Sequence, residues 1–78
     1  MPRYFFHVFD DIEAVDHEGL ECPDAEDAVG GAVKAARELA ADQVRQGRLH
    51  LDHRIEVVDG DGSAVATIQF RDCVPVHG

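Results

Sequence analysis

The sequence predicts an α+β domain, ordered β-β-α-β-β, with one long helix packed on one face of a small antiparallel sheet. Three observations carry this. Residues 24–47 place apolar side chains at three- and four-residue steps between helix start and stop signals. Residues 3–9, RYFFHVF, are aromatic and β-branched. Residues 54–58 and 64–70 are two further alternating runs joined by Asp59-Gly60-Asp61-Gly62, a hairpin turn sequence.

The helix is the organising element. Asp24, after Pro23, can cap the first free N–H groups, and Glu26 and Asp27 suit the positive end of the dipole. Arg45 lies in the last turn and Gly47 is the expected left-handed stop. Ala25, Ala28, Val29, Ala32, Val33, Ala36, Leu39, Ala40 and Val44 make the apolar stripe. Gly30 and Gly31 fall off it, and each costs about 1 kcal/mol against alanine. A solvated face accounts for them; close approach of another backbone, or a helix that bends there, is the alternative.

In the opening strand, alternation puts Tyr4, Phe6 and Val8 on one face and Phe5, His7 and Phe9 on the other. Residues 10–16 read as a polar turn region. Residues 17–22 read as a second strand, with Leu20 and Cys22 inward. Residues 48–53 are a connector anchored by Leu49 and Leu51. In the hairpin, Ile55, Val57, Ala66, Ile68 and Phe70 should face the helix, and Val58, Val65 and Thr67 the other side. Residues 1–70 form one domain and 71–78 a tail. The uncovered face would then show Phe5, Phe9, Val58 and Val65, a cluster that predicts an interface. A homodimer through that face, or along a sheet edge, is the expected assembly.

With 78 residues the chain hides only roughly 60% of its unfolded surface, so the core must be thin. The formal charge of −9 comes entirely from residues 10–27, which hold nine acids and no Lys or Arg. Such a chain lacks the basic face that direct nucleic-acid binding needs. A partner protein with a basic surface, or a hard metal ion, suits the segment better. Mutual repulsion there should raise carboxyl pKa values, so that mild acid and added salt stabilise the fold. No apolar run approaches the ~20 residues of a membrane span, and no export signal opens the chain. The expected location is the cytosol, with Cys22 and Cys73 as reduced thiols.

Catalytic chemistry finds little support. Ser63 lies in a turn and Thr67 mid-strand, and neither cysteine sits where a helix N-terminus would lower its pKa. No enzyme activity and no cofactor are expected. His50 and His53 make a pair, one or two ligands short of a zinc site. His7 with Asp10, Asp11, Asp16 and His17 offers weak metal ligands near one hairpin end. The 59–70 stretch starts like a calcium loop but has Ala64 at the sixth place and Phe70 at the twelfth. Gly30-Gly31 lies inside the helix and cradles no phosphate.

RYFFHV at the start, EGLECPDAEDA entering the helix, AARELA within it and RIEVVDGDGSAVATIQFRD at the end resemble a family of short proteobacterial proteins. That family is classed as a domain of unknown function. The resemblance implies a stand-alone cytosolic β-β-α-β-β domain and transfers no catalytic or binding residue. Phe9, where relatives carry a polar residue, and Gly30-Gly31 depart from the family pattern. The leading expectation is a non-catalytic interaction domain that self-associates. The alternative is a small divalent-metal- or ligand-binding domain using His7 and segment 10–18.

Overall fold

The computed structural model describes residues 1–10 and 13–73; Asp11 and most of the tail read from sequence fall outside them. Strands β1 (Arg3–Phe9), β2 (Glu13–Ala14) and β3 (Leu20–Glu21) precede helix α1 (Ala25–Arg45). Strands β4 (Arg54–Val58) and β5 (Ala64–Gln69) and the single turn α2 (Phe70–Cys73) follow. All strand pairs are antiparallel, in the order β2-β1-β4-β5, with β3 also on β1. The fold is α+β, as the sequence predicts, with one more short strand and one more helical turn. Among the described residues no helix is long and apolar enough to cross a membrane.

The helix ends follow local chemistry. Asp24 Oδ1 accepts the Asp27 N–H at 2.8 Å. At the other end the Arg48 N–H reaches Gln43 O and the Gly47 N–H reaches Val44 O, with Gly47 at φ 91°. That pair of bonds is a Schellman stop, which needs the left-handed residue that glycine supplies. The hairpin turn is held similarly. Asp59 Oδ1 accepts from the N–H groups of Asp61 and Ser63, and Gly62 takes φ 83°.

The predicted stripe is wider than the contact that forms. Ala28, Ala32, Ala36 and Ala40 are fully buried, at 0–1% exposure, in one i, i+4 row. Val33 and Ala35 flank this row. Ala25, Leu39 and Val44 are exposed, contrary to the sequence reading. An i+4 row drifts around a straight helix, so a flat sheet meets only one narrow diagonal of the stripe. Alanine methyls bring the helix close to Ile55 and Val57, whose side chains fill the floor. Gly30 and Gly31 are exposed, and a Cβ at either would meet nothing within 4 Å, so within the chain they answer no packing need.

The register confirms which side chains share a face. Phe6 opposes Val57 and Val8 opposes Ile55, which in turn opposes Ile68, so these point toward α1. Phe5 opposes Val58 and Phe9 opposes Arg54 on the other face. A bulge opposite Val57–Val58 leaves Val65 without a direct Cα partner. Its side chain packs against the buried cluster, because the extra residue breaks the alternation that would set it beside Val58.

Residues 71–73, read from sequence as the start of a tail, are held in place. Phe70 is 1% exposed and Cys73 4%. The Phe70 N–H donates to His53 O, the Arg71 N–H to Leu51 O, and Arg37 Nε to Cys73 O. Leu51 is therefore a backbone anchor with an exposed side chain, while Leu49 and His53 pack inward.

Candidate functional site

Two groups of chemistry-bearing side chains come together. The first lies along the outer edge of β1. The strand predicted over 17–22 shortens to β3 against Arg3–Tyr4, and the region 10–16, read as a turn, contributes the short strand β2 against Val8–Phe9. Leu20, expected to point inward, is 59% exposed at the sheet margin, while Cys22 is buried. Between these two strands Asp16 stands in for the missing ladder partner. Its Oδ2 accepts the Phe6 N–H at 3.2 Å, and its own N–H donates to His7 Nδ1 at 3.0 Å. Its Oδ1 accepts the N–H groups of Glu18 and Gly19, both at 3.1 Å. This is an Asx turn, legible in retrospect from Asp16-x-x-Gly19. Gly19 is obligatory: φ is 70°, and a Cβ would lie 2.8 Å from the Tyr4 carbonyl oxygen.

This arrangement makes Asp16 and His7 structural partners. Partial burial works to raise the Asp16 pKa, but the three N–H donors, from Gly19, Phe6 and Glu18, and the nearby His7 outweigh it. The net displacement is below the ordinary 3.8, opposite to the rise expected from repulsion within the acidic segment. A carboxyl whose folded pKa lies below its unfolded value stabilises fully above the unfolded value. That contribution disappears as pH falls through the folded one. Stability should therefore fall below about pH 4, and Asp16→Asn should flatten this acid limb while costing about 1–2 kcal/mol at pH 7. Urea unfolding across pH 3–7 measures both. An unchanged acid limb would contradict the assignment.

The second group lies where the connector meets the end of α1. Gln43 Oε1 accepts the His50 N–H at 2.9 Å, so its amide nitrogen is the group 2.8 Å from His53 Nδ1. The rings of His50 and His53 stack, with centroids 4.5 Å apart and planes at 13°. Phe70 meets His53 edge-on at 5.8 Å. His50 Nε2 is buried without a hydrogen-bond partner among the described residues, an arrangement that costs about 1–3 kcal/mol. Beside it opens a cleft of about 190 Å³, lined by Asp10, Asp42, Gln43, Gln46, His50 and His53 among others.

The predicted metal ligands thus do not assemble as expected. His7 and Asp16 bond to each other, His17 is exposed, and Asp10 lies at the other end of β1 on the His50–His53 cleft. Among the described residues, His50, Asp52 and His53 form a three-residue cluster of ligand atoms. The pair of histidines was visible in the sequence; Asp52 and the bracing Gln43 were not singled out. Both cysteines are unpaired thiols. Burial pushes the Cys22 thiol up, helped by Asp27 and Asp24. Burial also raises Cys73, with Arg37 opposing and Asp72 adding. Neither environment favours a thiolate nucleophile.

The uncovered face of the sheet carries Phe5, Phe9 and Val58, all half-buried. Between and beside them stand His7, Arg54 and Glu56. Arg54 lies over the Phe9 ring at 4.4 Å and pairs through Nε with Glu56 Oε2 at 3.0 Å. The face is therefore apolar with a paired charge in its middle, not a plain hydrophobic cluster.

No curated protein and no solved structure matches the chain. Residues 3–71 match the model of a family described as Domain of unknown function (DUF6894), a span that takes in the sheet, α1 and both side-chain groups. The chain belongs to the DUF6894 family.

Proposed function

We propose that this domain is a non-catalytic interaction module of the cytosol that self-associates through the sheet surface α1 leaves open. The observation that carries the reading is the character of that face. Phe5, Phe9 and Val58 supply apolar area, and Arg54 and Glu56 supply one charge of each sign side by side. Two copies related by a two-fold axis can set Arg54 against the partner's Glu56, so association here escapes the repulsion implied by a net charge of −9. The neighbouring strand β5 adds to the argument. Its sequence, AVATIQ, has no charge and no proline, the usual guards of a free sheet edge.

Light scattering over a concentration series tests this. The wild-type chain should approach twice its monomer mass. Val58→Asp and Phe5→Asp should each weaken association at least tenfold, equivalent to about 1.4 kcal/mol. A wild-type monomer at every concentration, with the native circular dichroism spectrum, would contradict the proposal.

A further inference from the structure

We propose that His50, Asp52 and His53 form a site for one transition-metal ion of the zinc class. The three offer ligand atoms within 4.8 Å of one another from a span of four residues. Two donors on a tetrahedral ion at about 2.1 Å stand about 3.4 Å apart, so modest side-chain rotations close the set. The buried Nε2 of His50, unpartnered among the described residues, is the second observation, since a cation would supply that partner. Two imidazoles and a carboxylate suit zinc, nickel or copper; calcium and magnesium take oxygen donors instead. Asp52 is exposed and gives the ion a route from solvent. Asp10 and Asp42 on the adjacent cleft make the approach attractive to cations, and the remaining coordination position is left to water.

Gln43 gives the site a specific signature. Its Oε1 is engaged by the His50 N–H, so its amide donates to His53 Nδ1 and the ring proton sits on Nε2. An ion on Nδ1 displaces the Gln43 amide. An ion on Nε2 selects the tautomer with the proton on Nδ1, which the Gln43 amide meets only by turning over and releasing the His50 N–H. Either way the Gln43 side chain reports occupancy, which a loosely held surface ion would not cause.

The experiment is a calorimetric titration of untagged protein with zinc chloride, with the Gln43 side-chain amide followed by NMR. The expected result is one ion per chain and a shifted Gln43 amide. Binding should weaken at least tenfold in His50→Ala and in Asp52→Asn, and be unchanged in the exposed-site control His17→Ala. Asp52→Asn alters an exposed residue, so it decides the matter even if His50→Ala fails to fold. Absence of binding, undiminished affinity in Asp52→Asn, or an unmoved Gln43 amide would each overturn the site.

Discussion

Phe70→Ala is expected to leave the domain largely unfolded at 25 °C. Phe70 is the largest of the fully buried side chains and closes the end of the core between α1, β5 and the connector. Its ring braces His53, and its backbone N–H ties α2 to the His53 carbonyl. Truncating a buried phenylalanine costs about 3–5 kcal/mol. A small domain holds about 5 kcal/mol in total, so little would remain. Phe70→Leu, which keeps most of the volume, should cost less than about 1.5 kcal/mol. Urea unfolding of the two variants measures the contrast. A Phe70→Ala midpoint close to wild type would mean that the turn following β5 is not part of the core.

Ala36→Leu should destabilise by about 1–3 kcal/mol or more, although leucine is a good helix former. Ala36 is 0% exposed and lies mid-row between Ala32 and Ala40, facing the sheet. A larger side chain there must lift the helix off Ile55 and Val57 and open gaps along the whole row. Ala41→Leu, on the exposed face, should change stability by no more than about 0.5 kcal/mol. The difference between these two substitutions isolates packing from propensity. Equal melting temperatures would show that the helix is not seated on the sheet through its alanines.

What the sequence revealed was whatever local chemistry determines. Asp24, Gly47 and the Asp59–Gly62 turn set element ends through bonds a few residues apart, and all three were legible. Strand alternation correctly divided Phe5 and Phe9 from Phe6 and Val8. Alternation alone carries no register, however, so the bulge that turns Val65 toward the core could not be read. Periodicity likewise marks a stripe without saying which diagonal of it a sheet will touch, which is why Leu39 and Val44 were placed inside. The division of the 13–21 segment depends on Asp16 replacing a strand partner, a bond across ten residues. The second side-chain group was hidden for a similar reason. Gln43 gathers His50 and His53 only after the Schellman stop turns the chain back, and Asp10 arrives from the far end of β1.

Under the self-association proposed above, a second copy covers the face of Phe5, Phe9 and Val58. The most direct measurement is an isotope-filtered NOE spectrum on an equimolar mixture of labelled and unlabelled chains. Intermolecular cross-peaks should connect the Phe5 and Phe9 rings with the Val58 methyls. Cross-peaks confined to α1, or none at a concentration where scattering shows twice the monomer mass, would contradict it.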